Sequence, residues 1–92
     1  MRVVIQRVIS AELLVDNKFY SKIGNGLVVL VAVSKHDTKE DINWIANKLV
    51  NLRIFSDKNN QMNFSVSDVD GDIMIISQFT LYASTKKGNR PS

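Results

Sequence analysis

The chain has 92 residues, 45% of them hydrophobic, 23% charged and 8% aromatic, with a formal net charge of +3 and no cysteine. That is the composition of an ordinary globular domain, and one this short buries only about 60% of the surface its unfolded chain exposes. Disulfide and thiolate chemistry are excluded. The longest apolar run, residues 27–33, is far shorter than a membrane helix of ~20 residues, and the N-terminus lacks the basic-then-apolar pattern of a signal peptide, so a cytoplasmic setting without membrane partners is the expectation.

Residues 2–8 are β-rich and read as a first strand, with Gln6 and Arg7 as polar interruptions near its end. Residues 12–15 read as a second. Asp16-Asn17-Lys18 is turn chemistry, because Asp and Asn tolerate left-handed backbone angles, and a hairpin into residues 19–23 follows. Gly24-Asn25-Gly26 marks another turn. The run 27–33 is apolar on both faces, as expected of a central strand covered on both sides.

Thr38 is an expected N-cap, with Asp41 three residues on as a variant capping box and Glu40 favourable in the first turn. Ile42, Ile45, Ala46, Leu49 and Val50 then recur at the spacing of an amphipathic helix, giving a helix over about residues 38–51. Residues 56–61 and 68–72 are turn-formers that separate short β-like pieces. The sum is a single α+β domain over residues 1–92, a mainly antiparallel, barrel-like sheet with one amphipathic helix packed on it. The loop-like Arg90-Pro91-Ser92 follows a strand with no closing element, so the chain reads as an incomplete domain, cut short at this point.

Nucleophile elbow, P-loop, dinucleotide fingerprint and paired His or Cys at metal spacing are all missing from the sequence. His36, the single histidine, sits among Ser34, Lys35 and Asp37 in the loop before the helix, where a surface or cap-adjacent role is expected. Asp68, Asp70 and Asp72 crowd one turn without the further ligands of a calcium loop.

The candidate site is Ser77-Gln78-Phe79-Thr80-Leu81, which follows the apolar Ile73-Met74-Ile75-Ile76 without a break. Uncharged polar side chains here stand where a buried strand is expected to continue. Burying such groups without partners costs roughly 1–3 kcal/mol, so they are normally bonded or used. Hydroxyls, an amide and strand-end N–H groups suit the binding of a carbonyl oxygen as it gains negative charge, hence acyl or ester chemistry. The structural alternative is that Ser77 and Gln78 close the strand by bonding neighbouring backbone and Thr80 is an ordinary strand residue.

Three segments then carry a resemblance: residues 1–8 (MRVVIQRV), Leu52-Arg53-Ile54-Phe55-Ser56-Asp57 with Met62-Asn63, and SQFTL at 77–81 followed by Lys86-Lys87-Gly88-Asn89-Arg90-Pro91. In this order and spacing the chain closely resembles the D-aminoacyl-tRNA deacylases. The resemblance implies a cytoplasmic homodimer that hydrolyses the ester between a D-amino acid, or misplaced glycine, and the 3′ end of tRNA, with no metal or cofactor and no DNA partner. It implies that Ser77, Gln78, Phe79, Thr80 and Leu81 line the pocket for the terminal adenosine and aminoacyl group, with Thr80 a nucleophile candidate. Activation by the substrate's ribose 2′-hydroxyl is the other view, and the physically preferred one, because no base neighbours Thr80 in sequence. Phe79 and Thr80 N–H are then the oxyanion donors, while Lys86, Lys87 and Arg90 contact tRNA phosphates.

Family members continue into a second motif, N-x-G-P-V-T, whose cis Gly-Pro bond enters the partner's pocket and excludes L-amino acids; Arg7 would lie near it. Nothing in this sequence matches that motif. Two alternatives accompany this expectation: a non-catalytic β-rich module that dimerises or binds tRNA, and the related editing domain of archaeal threonyl-tRNA synthetases.

Overall fold

The computed structural model describes residues 1–82. Its centre is a three-stranded sheet of β1 (Arg2–Val8), β4 (Gly26–Ala32) and β7 (Asp72–Ser77), in the order β1-β4-β7. β1 runs antiparallel to β4 with Val3 opposite Val31 and Arg7 opposite Leu27. β7 runs parallel to β4, pairing Leu27 with Ile73 and Val31 with Ser77. Two ribbons flank this sheet, β2 (Ala11–Val15) with β3 (Lys18–Ile23) and the short β5 (Phe55–Ser56) with β6 (Met62–Phe64), both antiparallel. The α+β class and the mainly antiparallel sheet follow the sequence reading. The parallel β4–β7 pair is an addition, made possible because the helix and the β5–β6 ribbon lie between those strands as a crossover.

The β2–β3 hairpin turns through Asp16 and Asn17 at φ 53° and 63°, two successive left-handed residues as a type I′ turn requires. Gly24-Asn25, by contrast, is a corner and not a hairpin: β3 stays with β2, and β4 leaves to pair with β1. Gly26 has to be glycine at that corner, because a Cβ there would lie 1.9 Å from the Asp72 carbonyl oxygen of the adjacent strand.

Leu27 and Val29 of β4 are fully buried and Ala32 on the opposite face is 3% exposed, as the two-sided apolar run requires. Leu27 and Val29 cluster with Leu49, Phe55 and Val66. The helix α1 (Lys39–Asn51) begins at Thr38 with the expected reciprocal box, the Asp41 N–H donating to Thr38 Oγ1 at 3.3 Å and the Thr38 N–H to Asp41 Oδ2 at 2.9 Å. It packs through Leu49 at 6% exposure; Ile42 and Val50, expected in the buried stripe, stay 46% and 37% exposed. Three strands and two short ribbons offer too little surface to cover the whole stripe. No helix among the described residues is long and apolar enough to cross a membrane.

SQFTL departs from the strand expected of it. β7 ends at Ser77, Gln78 makes the last ladder bond by donating its N–H to the Val31 carbonyl at 2.8 Å, and Phe79–Tyr82 forms a 3₁₀ turn. Ser77 and Thr80 are exposed rather than buried. Past Ser77 the side chains therefore do not alternate between two faces as they would in a continued strand.

Gly26→Ala is expected to destabilise the domain by about 3 kcal/mol, the upper end for forcing extra volume into a packed site, because the obstacle is backbone. Urea unfolding of the two proteins measures it, and a change within error would show that β4 and β7 part readily.

Candidate functional site

The candidate segment lies where β7 leaves the sheet. The register Val3–Val31–Ser77 sets Ser77 level with the beginning of β1, so the turn after it meets the chain's N-terminus. Within the turn, the Leu81 N–H donates to the Gln78 carbonyl at 3.3 Å. The Thr80 hydroxyl donates to the Gln78 side-chain oxygen at 2.6 Å. An amide oxygen accepts a hydrogen bond but takes no proton at neutral pH, so this contact orients the hydroxyl without activating it. Among the described residues, neither the Phe79 nor the Thr80 N–H is bonded to another backbone group. Backbone donors at the start of a short helical turn, where no intrahelical acceptor reaches them, suit a developing oxyanion.

Residues with no sequence-level signal fasten this turn. Arg2, first residue of β1, donates from its guanidinium to the Leu81 carbonyl at 2.7 Å and stacks over the Tyr82 ring at 4.7 Å from its centroid. The Met1 ammonium pairs with the Asp37 carboxylate at 2.8 Å, which also accepts the Ser34 N–H at 2.7 Å. Lone charges near a chain end look like solvated surface in a sequence; the contacts exist because β4 and β7 bring residues 79 positions apart together.

Arg7 lies elsewhere. Its partner Leu27 stands four residues along β4 from Val31, about 13 Å at strand rise. There it donates to the Ile54 carbonyl at 2.8 Å and to Ser56 Oγ at 3.4 Å, tying β1 to the β5–β6 ribbon. The second sequence motif is likewise stapled within itself. Arg53 bonds the Asn63 carbonyl and side chain, and Asp57 accepts the Asn59 and Gln61 N–H groups and the Asn63 amide. The Gln61 and Asn59 N–H groups hold the Asp57 carboxyl below its ordinary value. Asp68 is lowered similarly by the Ser65 N–H and hydroxyl. His36 is exposed, with its backbone N–H on Ser34 Oγ at 3.2 Å. Among the described residues no three His, Cys, Asp or Glu side chains gather as metal ligands. Lys86, Lys87 and Arg90 lie outside the described residues.

The Met1–Asp37 pair has a pH window. Its ammonium partner, then the Ser34 N–H, holds Asp37 below the ordinary 3.8, so that contribution is complete above pH 3.8 and is lost as pH falls through the lower folded value. Hydrogen bonds that the ammonium donates to Asp37 and then to Tyr82 raise it above 8.0, so its contribution is complete below pH 8.0 and is lost as pH rises through the raised value. The Tm difference between wild type and Asp37→Asn is therefore expected to be largest between those limits and to shrink on both sides. A difference independent of pH would show that the pair adds nothing to stability.

Comparison with known proteins gives a consistent picture. A family model described as D-Tyr-tRNA(Tyr) deacylase matches residues 4–92. The D-aminoacyl-tRNA deacylase of Flavobacterium psychrophilum is 56% identical over all 92 residues, and that of Parabacteroides distasonis 59%; the chain covers 61% of each. A solved structure titled c-Myc DNA Unwinding Element Binding Protein matches the whole chain with a TM-score of 0.89 at 38% identity, the chain covering 62% of it. The chain thus spans about three-fifths of the length of the curated relatives it matches.

Proposed function

The chain belongs to the D-Tyr-tRNA(Tyr) deacylase family, and from that premise we propose that it hydrolyses the ester joining a D-amino acid, or misplaced glycine, to the 3′ end of tRNA. The observation that carries this is the 3₁₀ turn after Ser77, whose Phe79 and Thr80 N–H groups make no backbone hydrogen bond among the described residues. Water adds to the ester carbonyl, the two N–H groups bind the oxyanion, and collapse releases the free amino acid and the tRNA 3′-hydroxyl. Donors of this kind are worth about 10²–10³ in rate each. The substrate's own 2′-hydroxyl assists the attack, since the partner of Thr80 Oγ1 among the described residues is an amide oxygen, which cannot act as its base.

The rest of the proposal follows the family. Ser77, Gln78, Phe79, Thr80 and Leu81 line the pocket, and Lys86, Lys87 and Arg90 hold tRNA phosphates without reading sequence. The protein acts in the cytoplasm as a homodimer without metal or cofactor, proofreading the chirality of aminoacyl-tRNA. Discrimination against L-amino acids belongs to the second motif, which this sequence does not contain. Arg7, which the family resemblance sets near that motif, is held in this chain by the Ile54 carbonyl beside the β5–β6 ribbon.

Ester release from D- and L-aminoacyl-tRNA by the 92-residue chain tests the reading: hydrolysis of the D-ester is expected, and none would leave a non-catalytic β-rich module. Thr80→Val keeps the backbone donor and loses only the hydroxyl, so kcat is expected to fall by no more than about tenfold, the scale of one hydrogen bond. Complete loss would restore Thr80 as nucleophile. Reversing Lys86, Lys87 and Arg90 to Glu is expected to weaken tRNA binding and to flatten its dependence on log salt by about one unit per lost phosphate contact. An unchanged slope would remove these residues from the tRNA path.

A further inference from the structure

We propose that Arg2 is a positioning residue of the hydrolytic site, acting through the Leu81 carbonyl and the Tyr82 ring to set the direction of the Phe79 and Thr80 N–H groups. The inference rests on the deacylase reading and adds to it a residue on a different strand, two positions across the sheet.

The turn has little to hold it by itself. A four-residue 3₁₀ segment has poorer hydrogen-bond geometry than an α-helix, and the bond that opens it, Leu81 N–H to Gln78 carbonyl, is long at 3.3 Å. Its C-terminal carbonyls need outside donors. Arg2 supplies one: its guanidinium reaches the Leu81 carbonyl at 2.7 Å, the short distance of a charge-assisted bond. The same guanidinium lies over Tyr82, 4.7 Å from the ring centroid, inside the range of a cation–π contact. A planar group that bonds with its edge and stacks with its face fixes orientation as well as distance, which an ammonium cannot do.

The anchor is rigid where it begins. Arg2 pairs with Ala32, a 3% exposed residue of β4, and Met1 before it is tied to Asp37. The turn is thus held on two sides, by the Gln78 N–H on Val31 at its entry and by Arg2 at its exit. The peptide planes of Phe79 and Thr80 lie between those anchors. Releasing the exit lets them rotate, and an oxyanion bound by two N–H groups loses its geometry without loss of the surface that binds substrate. The effect belongs in kcat.

Arg2→Ala and Arg2→Lys in the 92-residue chain test this with two readouts. Arg2 is exposed, so both variants are expected to fold, and circular dichroism with thermal melting checks it. For D-aminoacyl-tRNA hydrolysis, Arg2→Ala is expected to lower kcat by about tenfold or more, with KM within about twofold, and Arg2→Lys to recover part of the loss. By NMR, amide shifts and faster hydrogen exchange are expected at residues 78–82 and not along β1–β4. A loss in KM alone, full activity of Arg2→Ala, or exchange that rises evenly through the sheet overturns the proposal. Wild-type chain inert toward the ester overturns the deacylase reading and the catalytic role together. In that case unchanged exchange at residues 78–82 separately overturns the hold of Arg2 on the turn, and localised exchange shows that the hold stands and only the deacylase reading fails.

Discussion

Everything else in this domain depends on β4. Among the described residues it is the one strand with a partner along both edges, β1 antiparallel and β7 parallel, and the one whose apolar side chains on one face, Leu27 and Val29, reach zero exposure. Because its core face must meet those of its neighbours, a slip of one residue in either pairing would turn that face to solvent. The two registers are therefore not independent choices. They set Arg2, Val31 and Ser77 at one end of the sheet and Arg7, Leu27 and Ile73 at the other, and the site follows from that division.

The same strand supports an open structure. The radius of gyration, 15.4 Å, exceeds the about 12 Å of a compact chain of this length. Ile75 shares the core face of the sheet with Val29, its β4 partner, yet remains 64% exposed, while Ile73 two residues earlier on β7 packs against the core cluster. Phe19 and Tyr20 on the β2–β3 hairpin are 63% and 70% exposed, and Trp44 on the helix 63%. With so small a core, loops rest on polar fastenings instead. Asp37, Asp57 and Asp68 each bind backbone N–H groups within a few residues; these bonds hold the Asp57 and Asp68 carboxyls low, while Asp37 is lowered first by the Met1 ammonium and then by the Ser34 N–H.

Local features were legible because they are local. The capping box at Thr38 and Asp41 needs only a spacing of three, and the left-handed turn at Asp16-Asn17 needs only residues that tolerate positive φ. The two-sided burial of β4 was equally visible in its unbroken apolar run. The helix period correctly placed α1, but how much of its stripe would be covered depended on the area of sheet beneath it. SQFTL stands out in the sequence as polar residues in a strand; in the fold the strand ends at Ser77, Gln78 bonds backbone just beyond it and Thr80 lies in the 3₁₀ turn, with Ser77 and Thr80 exposed. Its chemical content was readable and its conformation was not, since apolar and polar runs do not state where a ladder bond will be the last.

From the sequence alone come the class, the helix and its cap, the central strand, the family through three ordered motifs, and the candidate segment at residues 77–81. Tertiary structure alone decided that β7 runs parallel to β4, that the segment turns as a 3₁₀ helix, and that Arg2 closes it while Arg7 docks about 13 Å away on another ribbon. The physical reason is range. Caps, turns and periodicity depend on neighbours within one or two turns of chain, whereas the Arg2 bond to Leu81 spans 79 positions and exists only once burial of β4 has chosen which strands lie beside it.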